Sequence, residues 1–179
     1  VADQAWKAHE RATAAAFSRW LTEGREGQVI SRQALHGRMV ERLWGDLAIH
    51  PDCPARWQPA AAWFMGRVFV DCKRRAAFTL PAMLSSPGHA FWAWWEKITD
   101  QSPSDRLRLM VLMERGKRLL AYGSRERVAF GGLFGNTAPE PHLDLFGGPE
   151  RVTICHFEGW LRWVDAEGLG RPAPGKAFV

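Results

Sequence analysis

Asp71, Cys72 and Lys73 end a run of strand-forming apolar residues, Val68-Phe69-Val70, and Arg74 and Arg75 follow at once. A strand normally runs out into Gly, Asn, Asp or Pro. This one runs into an acid, a thiol and three bases. Side chains two apart on a strand share a face. Asp71 and Lys73 therefore point one way together and Cys72 the other. An acid and an amine held side by side are either a strand-end ion pair or the working part of a site for a metal or a phosphate.

Two further carboxylates are placed to join them. Residues 3–21 read as an Ala-rich first helix stopped near Gly24. Its inward stripe is Trp6, Thr13, Ala14, Phe17 and Trp20 or Leu21, at steps of three and four. Glu10 lies on that stripe, aimed at the interior. By itself it reads as an edge residue that snorkels out or pairs with an arginine. Asp46 follows Gly45 and opens the short strand 46–50, and by itself it reads as a turn residue. Taken together, three carboxylates from three elements would meet one lysine at a sheet edge. Two like charges about 4 Å apart repel by roughly 4 kcal/mol at an effective dielectric near 20. Three acids and one lysine leave about two negative charges, which a divalent cation would cancel. Oxygen ligands that keep several waters suit Mg²⁺ or Mn²⁺ better than zinc.

Gly45-Asp46-Leu47-Ala48-Ile49, then the stretch from Arg67 through Asp71-Cys72-Lys73 to Leu84, then the aromatic helix around Trp92-Ala93-Trp94-Trp95, resembles the PD-(D/E)XK nuclease superfamily. Within it the pattern is most similar to phage-type endonucleases akin to Holliday-junction resolvases. The resemblance spans about residues 6–122 and implies a restriction-endonuclease-like α/β fold, a mixed central sheet flanked by helices. It implies Glu10 as the helix acid, Asp46 as the first-strand acid, and Asp71 with Lys73 as the D-x-K pair. A literal Pro-Asp also occurs, at Pro51-Asp52. Asp46 is preferred because it opens an apolar strand, whereas Asp52 sits between Pro51 and Pro54.

The activity so implied is metal-dependent hydrolysis of DNA phosphodiesters, selective for branched DNA such as four-way junctions. Asp46, Asp71 and the Cys72 carbonyl would hold Mg²⁺ or Mn²⁺, which neutralises the phosphate and binds the attacking water. Lys73 would orient that water and stabilise charge in the transition state. Glu10 would act through water or on a second ion, and the products would carry 5′-phosphates. Lys97 or Gln101, on the helix after the D-x-K strand, would help hold the scissile phosphate. Arg74, Arg75, Arg115 and Lys117, with Arg106, Arg108 and Arg118, form basic ground for DNA contacts, or else an ordinary solvated face. Phe91, Trp92, Trp94 and Trp95 could stack on bases, but a helix apolar nearly all round is more readily core. Paired incisions need two sites, which a homodimer supplies through residues 131–150 or the Trp-rich helix. A nuclease of packaging, repair or restriction type, and a nuclease-fold module that binds DNA or a protein without cutting, are the competing readings.

The elements expected to position these groups are helices at 3–21, 31–45, 89–101 and 158–168, and strands at 46–50, 61–73, 106–114, 118–124 and 151–157. Residues 51–59, 77–88 and 127–150 read as loops, the second with a helical turn. Residues 1–165 are expected to form one nuclease-like domain and 166–179 a tail. The 179 residues suffice for one domain with a core. Cys53, Cys72 and Cys155, odd in number and far apart, argue against a disulfide framework. No apolar run approaches the roughly 18 residues of a membrane span, and the first residues carry no signal pattern. The expected location is the cytoplasm, bacterial or of a phage-infected host, with no membrane partner. The formal net charge of +5 suits an anionic partner without requiring one. His50 and Cys53 lack the paired C-x-x-C that a zinc site would need, and no Ser- or Cys-hydrolase signature occurs.

Overall fold

The computed structural model describes residues 2–33, 45–74, 79–85, 89–114, 116–131, 139, 141–146, 148 and 150–166. Helix α1 covers Ala2–Leu21. It ends where Gly24, at φ +82°, donates its N–H to the Arg19 carbonyl at 2.7 Å, a left-handed cap that glycine adopts without penalty. Strands β1 (Ile30–Arg32) and β2 (Leu47–Ile49) form a small antiparallel pair. The expected helix over 31–45 therefore does not begin at Ser31, which is strand; residues 34–44 lie outside the described set.

A single 3-10 turn at Ala55–Trp57 leads into α2, Gln58–Arg67. Here the expected strand over 61–73 is half wrong. Pro59 sits in the first turn, where its missing N–H costs nothing, and three alanines follow. Ala60, Ala61, Phe64 and Met65 are buried at helical spacing. The strand proper, β3, is Val68–Arg74. Helices α3 (Leu80–Ser85) and α4 (Ala90–Gln101) cross to β4 (Leu107–Glu114), and β5 (Lys117–Gly123) returns beside it. Helix α5 (Ser124–Gly131) takes in Ser124, expected as strand, and 127–131, expected as loop, and β6 (His142–Leu145) also lies in the expected loop, before β7 (Val152–His156) and α6 (Phe157–Ala166). Residues 167–179, most of the expected tail, lie outside the described set.

The fold is α/β. Five strands form one mixed sheet in the order β3-β4-β5-β7-β6. Only β3 and β4 run parallel, and the other neighbours are antiparallel. Strand alternation splits the core into two layers. Val68, Val70 and Cys72 pack with Phe17 of α1, Phe64 of α2 and Trp160 of α6. Phe69 packs with Met83 of α3 and Phe91, Trp95 and Ile98 of α4. The Trp-rich helix is thus chiefly core, and Trp92 and Trp94 also pack against that layer.

Arg108, expected as part of the basic ground, is buried instead. Its guanidinium meets Glu126 at 2.9 and 3.0 Å and Glu150 at 2.9 Å, and donates to Thr99 at 2.8 Å. Burial opposes ionisation of Glu126, yet the hydrogen bonds and charge of Arg108 hold its pKa below the usual carboxylate range. Arg118 is likewise committed, to Glu158 at 2.6 Å and the Ala12 carbonyl.

Candidate active site

The site forms on the outer edge of β3, the end strand of the sheet. A residue in a strand turns its N–H and C=O to the same side, and neighbouring residues alternate. Val70 and Cys72 turn theirs outward. Asp46 takes both places: its N–H donates to the Val70 carbonyl at 2.9 Å, and its Oδ2 accepts from the Cys72 N–H at 2.6 Å. Gly45 makes this approach possible. It bridges to Val70 at φ +69°, and a Cβ there would run into the Val70 carbonyl. The Gly-Asp dipeptide is therefore a steric requirement of the edge. It also leaves the Cys72 carbonyl facing the same side as the Asp46 carboxylate.

Asp71 and Lys73 behave as their spacing predicts. The Lys73 ammonium lies 2.6 Å from Asp71 Oδ1, and both residues are buried. The other oxygen, Oδ2, is buried and receives no hydrogen bond from the described residues. Burial first, and the Asp71 carboxylate second, push the Asp46 pKa well above the usual range. The negative field of Asp46, Asp71 and Glu10 also adds to burial in raising the Cys72 thiol pKa. Asp46 and Asp71 thus meet at one short stretch of strand.

Glu10 is placed differently from Asp46 and Asp71. It is buried on α1, but its carboxylate is shared between the Trp6 indole N–H and Arg32, whose Nε lies 2.5 Å away. The Trp6 ring stands over the Lys73 ammonium, 5.8 Å from ring centroid to Nζ. No group of three His, Cys, Asp or Glu side chains among the described residues is gathered as a metal cage. The donor set nevertheless fits a hard cation. It holds two carboxylates, one with an oxygen lacking a donor and one whose ionisation its neighbour opposes, beside an outward main-chain carbonyl. All are oxygen ligands of the kind Mg²⁺ or Mn²⁺ takes.

The remaining expected residues divide. Asp52 is exposed, its N–H donating to His50 Nδ1 at 3.0 Å in a turn closed by the His50 ring, and no contact joins it to the cluster among the described residues. Lys97 is exposed, and Gln101 ends α4 at the far end of the sheet, near where β4 begins. Thr99 between them bonds Arg108, which pairs with Phe69, not with Lys73. The structure does not bring Lys97 or Gln101 to the acids. Arg74 is exposed and donates to the Ala5 carbonyl at 2.7 Å. Lys117 is exposed at the site's end of the sheet, opposite Glu114. Arg75 and Arg115 lie outside the described residues. Glu10 pairs with an arginine, as its position alone suggested, although the sequence reading named neither Arg32 nor Trp6 as the partner.

No protein-family model and no solved structure matches the chain. A UPF0324 membrane protein of Lactiplantibacillus plantarum is 30% identical over 90 residues, which cover 50% of this chain and 26% of that protein. The chain thus spans about a quarter of that relative's length. No described helix here is long and apolar enough to cross a membrane.

Proposed function

We propose that this chain is a metal-dependent endonuclease of restriction-endonuclease-like fold that hydrolyses DNA phosphodiesters. The observation that carries the reading is the meeting of Asp46, Asp71 and Lys73 at the outer sheet edge, with Asp71 Oδ2 buried and without a donor among the described residues. Mg²⁺ or Mn²⁺ held by Asp46, Asp71 and the Cys72 carbonyl would supply Lewis acidity toward the phosphate and an activated water. Lys73, fixed by Asp71 on one side and the Trp6 ring on the other, offers its ammonium to the charge that develops on the phosphate. The buried position of that ammonium strengthens its effect, because water screens it little. The parallel β3–β4 pair joined by helices on one face also suits the nuclease reading.

DNA is the proposed substrate, and four-way DNA the preferred form, cut by a homodimer in the cytoplasm. A second reading has its own support. Glu10 is occupied by Arg32 and Trp6, which suits a nuclease-fold module that binds without cutting. Labelled duplex, single-stranded and four-way DNA incubated with and without Mg²⁺ decides between them. The enzyme cuts only with metal, whereas the module binds DNA and cuts none of the three.

A further inference from the structure

Beside the acids, α1 and the β1–β2 pair enclose a cleft of about 360 Å³. Its sides carry Arg11 and Arg32, with Gln28 and His50, and its floor is small, Ala14 and Gly27 among others. Among the described residues, no acidic side chain lines it. Of the carboxylates close by, Glu10 is taken up by Arg32 and Glu26 by Arg56, and Asp52 is exposed beside His50. His50 Nδ1 accepts the Asp52 N–H, so the ring's other nitrogen carries the donor. Arg11 and Gln28 are exposed. The cleft therefore offers donors on its walls and a shallow, partly apolar floor, the complement of a sugar-phosphate chain.

Its position gives that chemistry a direction. Arg32 pairs with Leu47, the residue after Asp46, and the Gln33 N–H donates to the Asp46 carbonyl at 2.8 Å. From that point the cleft follows the hairpin to His50. Three residues of strand span roughly 10 Å, the axial length of about three nucleotides in one strand at 3.4 Å each. We infer that this cleft is a track for the phosphodiester backbone flanking the scissile bond, with Arg11, Gln28 and His50 holding phosphates and Arg32 linking the track to Glu10. The inference rests on the proposed nuclease reading and adds where the bound strand runs.

The test is DNA binding by fluorescence anisotropy over a range of salt, with a labelled duplex in Ca²⁺ to support binding, and cleavage of the same duplex in Mg²⁺. Arg11→Glu and Gln28→Glu each place a negative charge in the track without touching the acids. Each is expected to weaken binding about tenfold. Arg11→Glu should also lower the slope of log K against log salt by about one, the mark of a lost phosphate contact. Arg162→Glu makes the same charge change as Arg11→Glu, and a larger one than Gln28→Glu, on α6 outside the cleft, and is expected to weaken binding less than twofold. Circular dichroism confirms that each variant is folded before binding is compared. A wild type that cleaves, with Arg11→Glu and Gln28→Glu binding no worse than Arg162→Glu, overturns the track and leaves the nuclease standing. A wild type that neither binds nor cleaves overturns both.

Discussion

Asp46→Asn should make the metal-free protein more stable while destroying the proposed activity. The change removes one charge and keeps the shape. The Asp71 carboxylate is close enough to oppose the ionisation of Asp46. Two carboxylates about 4 Å apart repel by roughly 4 kcal/mol at an effective dielectric near 20. Lys73, at 2.6 Å from Asp71, offsets about half of that in this partly buried setting, leaving about 2 kcal/mol. The asparagine carbonyl still accepts from the Cys72 N–H, though about 1 kcal/mol more weakly than a carboxylate. Its amide can donate to Asp71 Oδ2, which has no donor from the described residues. A hydrogen bond to a charged group is worth about 1.5–3 kcal/mol. The net gain is about 2.5–4 kcal/mol, or roughly 5–16 °C in Tm for a chain of this size.

The sign with pH is fixed. The folded-state pKa of Asp46 is raised, so the wild type is at its best relative to the variant below the unfolded-state value. It loses ground as pH rises through the folded-state value. Thermal melts by circular dichroism in EDTA should therefore separate the two proteins at about pH 7.5 and bring them together near pH 4. Adding Mg²⁺ should raise only the wild type, by binding the native state. A variant that is less stable at neutral pH, or a gap unchanged in acid, would refute the electrostatic account of this edge.

Lys73→Ala should abolish cleavage while DNA affinity in Ca²⁺ changes less than about threefold, since a transition-state contact affects turnover rather than ground-state binding; gel assays and anisotropy on one preparation check both. Glu126→Gln leaves Arg108 buried with a weakened partner, and a loss of about 3 kcal/mol is expected, read as a lower denaturant midpoint with an unchanged m-value. If recognition rests on phosphates and DNA shape, a four-way junction should compete well above linear duplex of equal length, with affinity falling steeply in salt; light scattering should give a dimer, and a monomer with equal affinity for both DNAs would leave a nuclease without junction selectivity.

The D-x-K spacing placed Asp71 and Lys73 on one face, and Gly45-Asp46 marked the approach to the strand. Both are legible because they depend on backbone geometry alone. Glu10 was legible as inward but not in its pairing, since Arg32 falls in a stretch whose charges and Ala-Leu content read as helix. The stretch Trp63-Phe64-Met65 is apolar without a break, so strand and helix patterns fit it equally. The signal that decided it lay upstream, in Pro59 and the three alanines. Arg108 misled for a different reason. Its partners Glu126 and Glu150 lie far along the chain, and no local pattern announces an ion pair closed by tertiary packing. Lys97 and Gln101 could have been discounted. A right-handed crossover from β3 to a parallel β4 returns its helix toward the start of the strands, away from the end that carries Lys73.

An edge strand exposes N–H and C=O groups that invite pairing with other chains. Here the outward groups of Val70 and Cys72 meet the main chain and carboxylate of Asp46 in place of another strand. A carboxylate can satisfy an N–H, but it cannot satisfy the carbonyl beside it. Covering the edge with an acid therefore leaves the Cys72 oxygen facing a negative charge, with Asp71 adding a second across the strand. A neutral cover, such as a paired strand, would have satisfied both groups and created no demand for a cation. The acid at position 46 is thus costly to the fold while it is ionised, and a proton or, on the proposed reading, a bound cation would relieve that cost. On the proposed reading the protection of the edge and the metal site are one arrangement, and the stability gained by Asp46→Asn measures what the ionised acid costs the fold.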